Sequence, residues 1–122
     1  MPTVPELLLA NLHEVFGNRD DASRHEVVER VYTADVVFTD PEGEVVGREA
    51  LEAKAAHLLA NVPASFVFAD DGSLYASEVR GALAWSFGPE GSPVVRGIDV
   101  IAVRDGMIAT VTTFFAVGAE PA

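Results

Sequence analysis

The chain has 122 residues, 49% hydrophobic and 22% charged, which fits one domain over residues 1–122 that buries roughly two thirds of its unfolded surface. It has no cysteine, which excludes disulfide bridges, thiolate ligands and a thiol nucleophile. The formal net charge of -11, with Lys54 as the single lysine, gives a field that repels phosphate backbones and anionic lipid, so neither nucleic acid nor a membrane surface is expected as a partner.

Met1 to Leu12 has apolar Leu7 to Ala10 but no basic residue before them and no long apolar run, so no secretory signal or membrane span is expected and a cytoplasmic protein is the default. Glu6 to Phe16 carries Leu8, Leu9, Leu12, Val15 and Phe16 at helical spacing. Asp21 to Tyr32 does the same with Val27, Val28, Val31 and Tyr32, and Asp21 or Ser23 is available as its cap. A third helix is expected over Arg48 to Asn61, with Leu51, Ala55, Leu58 and Leu59 on one stripe and Pro63 beyond its end.

Between the second and third helices, Val36 to Asp40 alternates as a short strand stopped by Pro41, and Glu44 to Val46 supplies a second. After Pro63 four segments are rich in β-branched and aromatic residues: Ser65 to Ala69, Leu74 to Ser86, Val94 to Val103 and Met107 to Phe115. Asp70-Asp71-Gly72, Pro89 to Pro93 and Asp105-Gly106 are the expected breaks, the last a two-residue hairpin signal. The order predicts an α+β fold, with helices packed on one face of a curved antiparallel sheet.

Two acids interrupt apolar surroundings. Asp40 shares a strand face with Val36 and Phe38, which would aim its carboxylate inward, while Asp-Pro-x-Gly is equally a turn in which the aspartate side chain caps. Asp99 breaks the apolar run Gly97 to Val103, where an acid is costly to bury without compensation. Either burial keeps it protonated at a functional site, or Arg80, Arg96 or the Trp85 indole partners it. Trp85 shares a face with Leu83 and Phe87, and Phe66, Phe68, Phe114 and Phe115 lie on neighbouring segments, forming either a core or the wall of a cavity. Whether Trp85 faces Asp99 depends on a strand register that a one-residue slip would reverse.

Lys54 borders the stripe of the third helix, where it either reaches an acid such as Asp40 or extends into solvent. His13, His25 and His57 fall off their apolar stripes and make no metal-ligand spacing. No H-E-x-x-H, glycine-rich phosphate loop or G-x-S-x-G elbow occurs, so the expectation is no metal and no cofactor.

Tyr32-Thr33-Ala34-Asp35-Val36-Val37-Phe38-Thr39-Asp40-Pro41-Glu42-Gly43, followed by Gly47-Arg48-Glu49-Ala50-Leu51, Gly97-Ile98-Asp99-Val100 and Asp105-Gly106-Met107-Ile108, resembles the nuclear transport factor 2-like superfamily in its SnoaL-like and ketosteroid-isomerase-like branch. The resemblance covers nearly the whole chain and implies a cone-shaped curved antiparallel sheet with three N-terminal helices on its concave side. That scaffold hosts isomerases, polyketide cyclases, epoxide hydrolases, dehydratases and non-catalytic binding modules.

It implies Asp40 as general base and Asp99 as the protonated acid that hydrogen-bonds a developing oxyanion. The tyrosine that shares this role in the isomerases falls near Leu12, where this chain has none. Leu12, Phe38, Lys54, Phe68, Trp85 and Phe114 are the expected substrate-binding residues, for a small apolar carbonyl compound undergoing isomerisation or cyclisation. Epoxide hydrolysis and simple ligand binding are the alternatives. A homodimer is expected through the outer sheet face, where Ile98, Val100 and Ala102 alternate outward.

Overall fold

A computed structural model describes residues 1–117. Its first helix, α1 (Val4–Leu9), starts at a reciprocal cap: Thr3 Oγ1 accepts from the Glu6 N–H, and Glu6 Oε1 accepts from the Thr3 N–H at 2.7 Å. The expected single helix to Phe16 instead changes its winding. Ala10–Phe16 is π-helical, and the Gly17 N–H donates to the Leu12 carbonyl five residues back at 2.8 Å.

Helix α2 (Asp21–Val31) is capped by Asp20, whose carboxylate accepts from the Ser23 N–H at 2.8 Å, not by Asp21 or Ser23 as expected. Asp20 is the residue that keeps extended backbone, with φ -89° and ψ 112°, which a capping position requires. The chain leaves α2 straight into β1 (Tyr32–Asp40), then β2 (Gly43–Val46). Gly47, at φ 100°, turns it into α3 (Arg48–Ala60) while its N–H reaches the Val36 carbonyl at 2.7 Å.

The remaining strands are β3 (Phe66–Ala76), β4 (Arg80–Pro89), β5 (Val95–Arg104) and β6 (Met107–Phe115). Together the six make one curved, unclosed sheet in the order β2-β1-β6-β5-β4-β3. Four neighbouring pairs are antiparallel, as expected, but β1 and β6 run parallel, because the four-strand meander returns β6 beside β1 in the same direction.

The break expected at Asp70-Asp71-Gly72 is a strand irregularity instead. Gly72 takes φ 133° and absorbs the register shift between Asp70 and Leu74, so β3 continues to Ala76. The chain reverses at Ser77 to Val79, where Ser77 Oγ accepts from the Val79 and Arg80 N–H groups. The expected strand from Leu74 to Ser86 is thereby divided between β3 and β4.

Helices and the concave sheet face share one core, to which Leu8, Leu12 and Val15, Val28, Leu51 and Ala55 contribute from the helices and Val36, Leu83, Ile101 and Val111 from the strands. Each large apolar side chain withdrawn from water here contributes about 2 kcal/mol. No helix among the described residues is long and apolar enough to cross a membrane.

Candidate functional site

Strand alternation puts every second residue of β4, β5 and β6 on the concave face. Leu83 pairs with Asp99, Trp85 with Gly97, Asp99 with Thr113 and Gly97 with Phe115. That register settles the open question about Trp85: its indole N–H donates to Asp99 Oδ1 at 3.0 Å. Gly97 leaves the space for it, since a Cβ there would come within 2.5 Å of the indole ring.

Asp99 is 5% exposed and has two further partners. Thr113 Oγ1 donates to the same Oδ1 at 2.8 Å, and Asn11 Nδ2 donates to Oδ2 at 3.0 Å. Of the three partners that the sequence offers, Arg80, Arg96 and Trp85, only Trp85 is used. Arg96 is drawn away to Asp71 at 3.0 Å, and Arg80 lies exposed at the start of β4. Burial pushes the Asp99 carboxyl above its usual range, opposed by the hydrogen bonds from Thr113, Trp85 and Asn11.

That direction fixes a pH dependence. Native Asp99 holds its proton more tightly than the unfolded chain does, so its contribution to stability is complete below the ordinary value of 3.8 and is lost as pH rises through the native value. Asp99→Asn removes the titration. The wild-type melting temperature should therefore fall relative to the variant's as pH increases, and a flat difference between the two thermal-denaturation curves would refute the raised value.

Asp40 closes β1. Both readings of it hold at once, because its Oδ1 accepts from the Glu42 N–H at 2.9 Å, making the turn, while the carboxylate borders the cavity. Lys54 does not extend freely into solvent: its Nζ lies 3.1 Å from Asp40 Oδ2 and 2.7 Å from Glu42 Oε1. The Glu42 hydrogen bond first, and the Asp40 one after it, hold the Lys54 ammonium above its usual pKa despite partial burial.

These groups surround a cavity of about 410 Å³, within the range of small-molecule sites. Phe16, Phe38, Phe68, Trp85, Phe87 and Phe115 form much of its wall. Phe68 stacks on Phe87 at 4.1 Å between ring centroids and meets Trp85 edge-on at 5.3 Å. Asp40, Asp99, Leu12, Phe38, Lys54, Phe68 and Trp85 are brought together here.

Phe114 is not among them. The register of β5 and β6 shifts between Ala102 and Val103, opposite Thr110 and Ile108, so one extra residue, Ala109, enters β6. Ile108 and Val111 are both buried across this shift, which turns Phe115 inward and leaves Phe114 56% exposed on the outer face.

Sequence reasoning missed Asn11 and Asn61, and it placed His57 off its apolar stripe, where it is exposed and also borders the cavity. Lys54, His57, Leu58 and Asn61 all line the cavity and stand at helical i, i+3, i+4, i+7 spacing, a second stripe beside the apolar one of α3. Asn11 also carried a signal, as a polar residue between the buried Leu8 and Leu12. Among the described residues, no group of three His, Asp or Glu side chains is placed to hold a metal ion.

Residues 10–111 match the family model of the SnoaL-like domain. The chain belongs to the SnoaL-like family. Solved structures similar to this SnoaL-like domain include a candidate isomerase of the SnoaL-like family from Agrobacterium tumefaciens, 20% identical over 90% of this chain and 94% of that one, with a TM-score of 0.82. A candidate SnoaL-like polyketide cyclase from Jannaschia is 18% identical over 96% and 92%, with a TM-score of 0.75. A candidate ketosteroid isomerase from Kribbella flavida is 19% identical over 98% and 84%, with a TM-score of 0.69. At such identities the likeness carries the fold. No curated protein matches the chain.

Proposed function

We propose that this SnoaL-like domain is a cofactor-free acid–base enzyme acting on a small, largely apolar, carbonyl-containing molecule, of the isomerase or polyketide-cyclase type. The observation that carries the reading is the pair of carboxyl groups bordering one aromatic cavity, Asp99 buried and Asp40 held at the turn. The candidate isomerase and cyclase among its structural relatives are consistent with it.

In this reaction the Asp40 carboxylate takes a proton from a carbon beside the carbonyl. The electron pair left behind moves onto the carbonyl oxygen, and the hydroxyl of neutral Asp99 donates a hydrogen bond to it. Isomerisation ends when Asp40 returns the proton to a different carbon, with nothing gained or lost overall. Trp85 acts on this oxyanion only through Asp99, because its single N–H is already used there.

A second reading, epoxide hydrolysis, is favoured by one observation: both Asp40 oxygens already accept, from the Glu42 N–H and the Lys54 ammonium. A carboxylate so held suits the orientation and deprotonation of a water, with Asp99 protonating the opened oxygen. A thermal-shift panel of steroids, terpenoid ketones, epoxides and polyketide-like aromatics tests both, since a ligand of the native state raises its melting temperature. Conversion of a stabilising ketone to an isomer of unchanged mass supports isomerisation; conversion of a stabilising epoxide to a diol that carries one labelled solvent oxygen supports hydrolysis. Stabilisation without turnover by any bound compound would leave a binding module.

The expected partner is a second copy of the chain. Ile98 is 43% exposed on the outer sheet face, opposite Phe114 on β6 and Ala84 on β4, with Val100 two residues along. Ile98→Arg should convert a wild-type dimer to monomer in sedimentation velocity, and a wild-type protein that is monomeric at high concentration would refute this.

A further inference from the structure

We infer that Asn11, its amide held by Tyr32, is a positioning residue that assigns the transferable proton of Asp99 to Oδ2 and keeps that proton free for the substrate. This rests on the reading of Asp99 as the neutral acid of the proposed reaction.

The lone pairs of the Asp99 carboxyl decide where its proton sits. Asp99 Oδ1 accepts two hydrogen bonds, from Trp85 Nε1 at 3.0 Å and Thr113 Oγ1 at 2.8 Å, which fills its two lone-pair directions. A proton on a neutral Asp99 therefore sits on Oδ2, whose protein partner is the Asn11 amide at 3.0 Å. The orientation of that amide is then decisive. With Nδ2 toward Asp99, Asn11 donates and the Oδ2 hydroxyl keeps its own proton for a ligand. With the amide turned over, Asn11 Oδ1 would face Asp99, accept that proton and withhold it from the cavity.

Tyr32 chooses between the two. Its ring is fully buried, and its hydroxyl donates to Asn11 Oδ1 at 2.5 Å. Turning the amide over would face its N–H groups toward the phenol and leave the O–H proton without this acceptor in a buried site. Burial, the largest cause, pushes the Tyr32 phenol well above its ordinary value, so it remains a donor. The groups facing Asp99 come from three elements, Asn11 from the π-helical segment, Trp85 from β4 and Thr113 from β6, with Tyr32 behind Asn11. Asn11 itself has no exposed surface.

The test is a carboxyl carbon NMR titration of Asp99 in the wild type, Tyr32→Phe and Asn11→Leu, with the side-chain amide signals of Asn11 followed in the first two. Tyr32→Phe keeps the ring and removes the hydroxyl. It should free the amide to accept from Asp99, so Asp99 binds its proton about tenfold more tightly and the Asn11 amide protons no longer follow its titration. Asn11→Leu removes a donor to the charged form and should also tighten proton binding about tenfold. If wild-type Asp99 holds its proton tightly but both variants titrate as it does, the positioning role is overturned and the acid reading stands. If wild-type Asp99 titrates as an ordinary exposed carboxyl, both fall, because Oδ2 then carries no proton near neutral pH.

Discussion

Gly97→Ala should lower the melting temperature by about 10 °C, a loss of about 3 kcal/mol at the upper end of what overpacking costs in a domain this size. The added methyl would lie 2.5 and 2.7 Å from two indole carbons of Trp85 and 2.6 Å from the Phe114 carbonyl oxygen. No rotamer of alanine relieves a backbone contact, so either β5 and β6 separate or the indole leaves its place. If the indole moves, Asp99 loses its Trp85 donor and the aromatic wall loses the edge-on contact between Phe68 and Trp85. Thermal denaturation and tryptophan fluorescence read the two consequences separately. A variant as stable as the wild type with unchanged fluorescence would mean that Gly97 is not the seat of the indole.

Asp40→Asn should reduce kcat on any substrate the protein turns over by about a thousandfold, the middle of the range that a positioned base contributes. Asparagine keeps an oxygen for the Glu42 N–H and so preserves the turn, but it cannot accept a substrate proton. The variant also loses its ion pair with Lys54, a contact whose partners remain partly exposed, so the stability cost should stay below about 1 kcal/mol. Kinetics on the stabilising ketone or epoxide, together with a melting curve, check both parts. An Asp40→Asn protein that keeps its turnover would remove Asp40 from the reaction. Lys54→Met separates the two chemistries further, because it frees one oxygen of Asp40 while leaving the carboxylate in place.

The residues that carried the acid–base reading were legible for a local reason. Asp99 stands alone in a run of apolar residues, and Asp40 ends an alternating strand; both are departures from a pattern that a few neighbouring residues define. The same locality hid Asn11 and Asn61. Each is polar near an apolar stripe, and a polar residue there is informative only once its opposite element is known. Phe114 shows the limit most clearly: it is in phase with buried Ile108, and the phase is broken by one extra residue whose presence depends on how β6 pairs with β5.

The sequence alone determined the α+β class, three helical segments followed by a strand-rich half, the two acids and the aromatic set, because periodicity and turn chemistry act over a few residues. Tertiary structure decided that Trp85 faces Asp99, that β1 and β6 run parallel, that β3 passes through Asp70-Asp71-Gly72, and that Lys54 pairs with Asp40 and Glu42. It also decided that a π-helical turn delivers Asn11 to Asp99 across 88 residues of sequence. Each of these is a choice of partner among distant segments, and a shift of one residue in strand register or helix winding turns a side chain to the opposite face.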